Sequence, residues 1–271
     1  MHYLAPNEFL ERYAASGTVK TQKSAGTLLA LSVLAGALIA LGCAATNTAV
    51  HGMDNVGLAR TVSGLLFPFG LCMVIVTGAE LFTGNSLLVL SLLEKKCTLP
   101  GLLRNWCLVY LGNFLGALLT AAGCVWFGQL NYSAGGLAVY TIRLAAGKCG
   151  ISFLSGFGLG IFCNTLVCLG VLLALSAQDA AGRLMGAFLP VCYFVLCGFE
   201  HCVANMYYIS AGLLAVRNPQ YLQLAQEAGV DLGALTLSGF LLGNLLPVTL
   251  GNILGGAGLG ALLWYAHVKK K

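Results

Sequence analysis

Charge is what this 271-residue chain has least of: Asp, Glu, Lys and Arg together make up 8% of it, where a soluble domain usually carries about 25%. With 58% of the residues hydrophobic, that shortage excludes a domain free in water. Paired thiols are missing as well. None of the eleven cysteines stands in a C-x-x-C pair, and the apolar segments hold no paired histidines, so a thiol or quinone oxidoreductase would have no ligands to work with. No cofactor or metal is therefore expected, and the chain does not read as an enzyme. The cysteines read instead as small buried hydrophobes, in a reducing setting rather than an extracellular disulfide framework. No low-complexity run or second domain interrupts the pattern.

What the chain does contain is long uncharged runs. Residues 24–50, 61–79, 105–142, 149–178, 184–199 and 232–268 carry no Asp, Glu, Lys or Arg, and about 20 apolar residues span a bilayer. Six spans are expected, near 25–46, 61–93, 105–127, 151–176, 184–214 and 237–265. The second and fifth reach full length only through Glu80 and Glu200, so both are expected to be interrupted. Residues 1–24 contain Glu8, Glu11, Arg12, Lys20 and Lys23 and read as an amphipathic cytoplasmic helix rather than a cleavable signal.

Basic residues set the orientation. With the N-terminus inside, the inner segments hold Arg12, Lys20, Lys23, Lys95, Lys96, Arg104, Arg183 and Lys269–Lys271, against Arg60, Arg143, Lys148 and Arg217 outside. That excess predicts a multi-pass protein of the bacterial cytoplasmic membrane with both termini cytoplasmic. The net charge of +5 is then a topology signal, and no nucleic-acid partner is needed to explain it.

A short motif occurs twice. Gly78-Ala79-Glu80-Leu81-Phe82-Thr83-Gly84-Asn85 aligns with Gly198-Phe199-Glu200-His201-Cys202-Val203-Ala204-Asn205, and Leu111-Gly112-Asn113 is echoed by Leu250-Gly251-Asn252. Three spans fall in each half. An odd number forces the second half in upside down, which predicts a 3+3 inverted repeat with its site where the halves meet. The whole chain, 1–271, reads as one membrane domain: a helix in 1–24, repeats over 25–130 and 150–265, and a tail over 266–271. Gly112-x-x-x-Gly116, Gly156-x-Gly158-x-Gly160 and Gly251-x-x-x-Gly255 read as close helix crossings.

Glu80 and Glu200 are costly at membrane depth unless hydrogen-bonded or wetted. A proton relay or cation site is one reading. Accepting hydrogen bonds from backbone N–H groups freed at the breaks is the other, and the favoured one. His201 aligns with Leu81 and is not demanded by the duplication, so a pore contact is its favoured reading. Thr83 offers a hydroxyl at the other break. Asn164 is a lone amide among Leu, Val and Cys and needs a partner. Lys148 either snorkels to the interface or draws anions toward a funnel. Phe67, Leu71, Phe82 and Phe194 are either core or a ring that closes a pore to hydrated ions.

These duplicated motifs resemble those of the formate/nitrite transporter family. So do Asn105-Trp106, Leu111-Gly112-Asn113 and Pro247-Val248-Thr249-Leu250-Gly251-Asn252. The likeness runs over roughly residues 20–265 and is greatest toward the clostridial hydrosulfide channel branch. It implies an all-α, aquaporin-like fold of six helices with the second and fifth broken, a homopentamer in the lipid bilayer, and one pore per protomer. It further implies pore roles for His201, Thr83, Lys148, Asn164 and Asn252, and constrictions at Phe67, Leu71, Phe82 and Phe194. Gly84 departs from the Ser or His found there in some members. The expected function is a channel or transporter for small monovalent weak-acid anions, hydrosulfide first, with formate and nitrite beside it. A dedicated, proton-coupled formate or nitrite transporter is the alternative, and a pore for a neutral solute is a further rival. On the channel reading, His201 hands the anion a proton so that a neutral acid crosses the apolar rings.

Overall fold

The computed structural model describes residues 3–269, so Lys270 and Lys271 of the basic tail lie outside the described residues. Among the described residues the chain is helical, with a lone bridge between Tyr3 and Ala177 as its β-type pairing. The helices are α1 (Pro6–Gln22), α2 (Ala25–Val50), α3 (Val56–Leu66), α4 (Phe69–Thr77), α5 (Phe82–Asn85), α6 (Leu88–Leu93) and α7 (Leu99–Trp126). There follow α8 (Gly136–Cys149), α9 (Phe153–Ser176), α10 (Ala180–Cys197), α11 (Cys202–Ala215), α12 (Pro219–Glu227) and α13 (Leu246–His267), the last preceded by a π-helical stretch at Gly239–Leu245. Six of these units are long and apolar enough to cross a membrane: α2, α3–α4, α7, α9, α10 and the π-helical stretch with α13.

Three spans begin before the uncharged runs do, at residues 56, 99 and 180. A charge-free run stops at Arg60, Arg104 or Arg183, but a helix starts at its cap. The side chains of Asn55, Thr98 and Asp179 accept the N–H of Leu58, Gly101 and Gly182, and the basic residues sit in the turns just inside. Span counting does not predict helix α8, which lies between the two expected repeats and carries Arg143 and Lys148.

Both expected interruptions are present. Helices α4 and α10 end on Gly78 and Gly198, with φ of 67° and 72°, in the left-handed region that glycine enters at little cost. Ala79 N–H then reaches back to Val74 O and Phe199 N–H to Phe194 O, the bonds of a Schellman stop. Three non-helical residues follow before α5 and α11 begin. Each break therefore delivers a carboxylate and a fresh helix N-terminus to mid-protein.

The halves pack alike, with α2 against α7 and α9 against α13. Glycine makes these crossings close. A methyl added at Gly116 would overlap Val33 O, and one at Gly255 would overlap Ile161 O, whereas Gly158 has open space around it. Backbone cannot swing aside as a side chain can, so the helices would have to separate. Gly116→Ala and Gly255→Ala are each expected to lower stability by about 1–3 kcal/mol, and Gly158→Ala to change little. Thermal unfolding of the purified protein in detergent checks this, and equal melting of all three variants would refute it.

Candidate functional site

Two polar clusters, one behind each break, share the same Lys–Glu–Asn–Asn plan. In the first, Lys20 Nζ donates to Glu80 Oε2 at 2.7 Å and Lys23 Nζ to Glu80 Oε1 at 2.6 Å. Asn85 Nδ2 donates to Glu80 Oε2 at 2.8 Å and to Asn105 Oδ1 at 2.9 Å. In the second, Lys148 Nζ meets both Glu200 oxygens at 2.9 and 3.0 Å. Asn205 Nδ2 donates to Glu200 Oε2 at 2.6 Å and to Asn244 Oδ1 at 2.8 Å. Asn105 and Asn244 close the loops on the carbonyls of Lys20 and Lys148. Lys148 follows Lys20 by 128 residues, so α1 and α8 are counterparts and both clamp a break. The clusters differ at one place. Ile151 stands 128 residues after Lys23, so Glu200 has one ammonium where Glu80 has two, and Asn205 Oδ1 is left buried without a hydrogen bond. Its equivalent, Asn85 Oδ1, accepts from Lys20 at 3.0 Å.

The backbone freed at the breaks is not taken up by the carboxylates, contrary to the favoured reading of the sequence. Asn113 Oδ1 accepts the N–H of Phe82 at 2.9 Å while its Nδ2 donates to the carbonyls of Ser32 and Glu80. Asn252 Oδ1 accepts the N–H of Cys202 at 2.9 Å while its Nδ2 donates to the carbonyls of Gly160 and Glu200. An amide carries both a donor and an acceptor and can serve both faces of a gap. A carboxylate only accepts, so Glu80 and Glu200 are matched to lysines and asparagine NH₂ groups instead.

A cavity of about 440 Å³ opens on the α8 side and one of about 360 Å³ on the α1 side. Phe67, Phe194 and His201 line the first; Leu71, Leu81 and Gly84 line the second. All six are buried and none lines both cavities, so we take them as the partition between the two. Phe67 and Phe194 meet edge to face at 5.6 Å, and Phe194 stacks on the His201 ring at 5.8 Å. Inside the partition His201 Nε2 and Thr83 Oγ1 are 2.9 Å apart, and Thr83 is fully buried. One residue comes from each half, so the site lies where the repeats meet.

His201 is also the N-cap of α11: its Nδ1 accepts the N–H of Ala204 at 3.1 Å. A backbone N–H can only donate, so Nδ1 carries no proton. The neutral ring therefore holds its proton on Nε2 and donates it to Thr83 Oγ1. The Thr83 hydroxyl, having accepted, keeps its own proton to donate, and no other partner takes it among the described residues. A buried hydroxyl donor aimed by a histidine is suited to an anion. Moving a proton onto Nδ1 would break the cap on α11, so the arrangement is built for hydrogen bonding in its resting state.

Both cavities are net cationic. Lys20, Lys23 and Arg183 line the α1-side cavity against Glu80, and Arg60, Arg143 and Lys148 line the α8-side cavity against Glu200. Lys148 faces the α8-side cavity, but it is a paired cation rather than a free one. Asn164 and Asn252 line neither cavity. Asn164 Nδ2 donates to the carbonyls of Thr83 and Asn252 and to Ser86 Oγ, and Asn252 is fully used in stapling its break. Phe82 also lines neither; its ring packs edge to face on Tyr110 at 4.9 Å and Trp106 at 6.2 Å. Reading the sequence alone misses Lys20, Lys23, Asn85, Asn105, Asn113 and Asn244 as site residues. The repeat itself is the available signal, because each has a counterpart in the other half or shares its role with one.

Comparison with known proteins bears on the family and the fold. The family model described as "Formate/nitrite transporter" matches residues 7–266. A relative from Methanothermobacter thermautotrophicus, described as a probable formate transporter, is 35% identical over 99% of this chain and 98% of its own. A solved structure described as a pentameric formate channel with formate bound superposes with a TM-score of 0.79 at 32% identity, covering 92% of this chain and 99% of that one. Another, described as an FNT family ion channel, does so with a TM-score of 0.83 at 27% identity, covering 96% and 98%. An inverted pair of triple-helix units, two stapled breaks and a polar contact sealed between cationic cavities thus meet in one chain, which belongs to the formate/nitrite transporter family.

Proposed function

We propose that the protein passes small monovalent weak-acid anions through the partition between its two cavities, as one pore of a homopentamer in a bacterial cytoplasmic membrane. The α1 side and both termini face the cytoplasm in this reading. The contact that carries it is the 2.9 Å pair of His201 and Thr83, a donor placed between two cationic vestibules. Each vestibule draws anions, and the hydroxyl replaces part of the hydration lost among Phe67, Phe194 and Leu71. Bringing an ion out of water costs several kcal/mol even after relaxation, so a donor at that depth is needed where a neutral solute would need none.

Hydrosulfide, formate and nitrite are the proposed solutes. The kinship to proteins described as formate transporters and channels supports formate, and the motif likeness to the hydrosulfide branch supports hydrosulfide. The anion accepts a hydrogen bond from Thr83 and leaves as the anion, or as the neutral acid when the bulk supplies a proton. Stopped-flow uptake of the three anions into proteoliposomes across a pH series, with chloride beside them, tests this. Uptake of all three should exceed that of chloride and rise as pH falls. Chloride flux equal to theirs, or no anion flux at all, would refute the proposal.

One variant separates the two tasks of His201. Asn is a good N-cap, so His201→Asn should preserve α11 while removing the donor to Thr83. Flux is expected to fall about tenfold with little change in melting temperature. Unchanged flux would remove the histidine from the mechanism.

A further inference from the structure

We propose that the α8-side cavity contains a second anion subsite, distinct from the His201–Thr83 contact, that binds carboxylates through the guanidinium groups of Arg60 and Arg143. It deepens the preceding reading by naming where, and in what form, an anion is first held.

Three observations converge on it. The first is a mismatch of charge. Arg60, Arg143 and Lys148 line the cavity, and its one carboxylate, Glu200, is taken by Lys148 through both oxygens. Among the described residues neither arginine has a carboxylate partner.

The second is position. A Cβ at Gly198 would lie 3.2 Å from Arg60 Nη1 and 3.3 Å from Nη2. The fork of Arg60 thus lies over the break that leads to Glu200 and His201. Arg143 is fastened by one bond, Nη2 to Ala228 O at 3.3 Å, which leaves its remaining N–H groups for a ligand.

The third is Asn47. It lines the same cavity at 4% exposure, and its Nδ2 is buried with no hydrogen-bond partner. An unpartnered amide donor in the wall of the same cavity as two guanidinium groups without carboxylate partners makes a lining rich in donors and poor in acceptors.

The chemistry of that surface selects among anions. Guanidinium presents two parallel N–H groups that match the two oxygens of a carboxylate, whereas an ammonium or a single-atom anion gains only the charge. Carboxylates and the similarly bent nitrite are favoured here over hydrosulfide or chloride. The α1-side cavity differs in number: its two lysines are both held by Glu80, and Arg183, bonded through Nε to Ala177 O, is its single arginine, so no second guanidinium stands with it to take the other end of a dicarboxylate. The subsite is therefore one-sided. A cavity of about 440 Å³ is also roomier than formate requires. A short dicarboxylate would occupy both guanidinium groups and, too large for the partition, would block it.

Malonate is the probe. Titration calorimetry on the full-length protein in detergent should show saturable malonate binding. Arg60→Gln and Arg143→Gln should each weaken it at least fivefold, and Arg60→Lys, which keeps the charge but not the fork, at least threefold. In proteoliposomes, malonate on the α8 side should slow formate uptake with the same ranking of variants, and malonate on the α1 side should do so more weakly. Absence of saturable binding, affinity of the Arg60→Gln/Arg143→Gln double variant within twofold of the parent, or Arg60→Lys binding as well as the parent would each overturn the subsite. Binding is read without conduction. A protein that binds malonate in this pattern but passes no weak-acid anion would sink the proposed function and leave the subsite standing.

Discussion

Thr83→Val should reduce weak-acid anion flux roughly tenfold to a hundredfold while the protein still folds and assembles. Valine keeps the shape of threonine and removes only the hydroxyl. That hydroxyl is fully buried, accepts from His201 at 2.9 Å and has its own proton free. A hydrogen bond to a charged group is worth about 1.5–3 kcal/mol, and each 1.4 kcal/mol or so is a factor of ten in rate. The loss falls on the barrier alone, because the vestibules keep their charge. Thr83→Ser, which restores the donor, should recover most of the flux. Proteoliposome uptake measures both, with size-exclusion chromatography as the control for folding. A valine variant as fast as the parent would show that the anion crosses without this hydroxyl.

The second large effect is on stability. Asn252→Leu is expected to destabilise the protein by several kcal/mol in total, with loss of a monodisperse species in detergent. The substitution leaves the N–H of Cys202 and the carbonyl of Glu200 unpaired and removes the second donor to Gly160 O, which lies within α9, at about 1–3 kcal/mol for each unpaired buried group, in a region where water cannot replace the lost partner. Asn252→Asp should fail as well, because two of the three bonds are donated by Nδ2 and aspartate has no donor. Asn113→Leu should reproduce the effect, since Asn113 holds the same three positions in the other half. Asn252→Leu melting within 1 °C of the parent would refute this role. Such a result would also reopen the pore role that the family resemblance suggests for Asn252.

Much of the site is legible in the order of the residues. The costly carboxylates, the glycines at 78 and 198 and the 120-residue echo locate both breaks, because a charge inside an apolar span is too expensive to be accidental. His201 and Thr83 stand out as polar residues beside those breaks. What each polar group is bonded to is not legible there. Asn252 resembles a pore residue and is a backbone staple. Lys148 resembles a free anion lure and is neutralised by Glu200, while Arg60 and Arg143, which count in the sequence only toward topology, are the cations of that cavity left without a carboxylate. Lys20 reads as part of a surface helix, yet α1 inserts it beside Glu80.

By itself the amino-acid sequence determined the number of spans, the duplication, the two interruptions and the cationic balance. These depend on local composition and on the cost of placing charge or loose backbone in lipid, which neighbouring residues along the chain decide. Only the tertiary structure decided which donors meet which acceptors. The contacts that build the site join residues 50 to 118 positions apart. Hydrogen bonding is short-ranged and directional, so a difference of one side-chain direction separates a staple from a pore donor. No periodicity along a single helix carries that information.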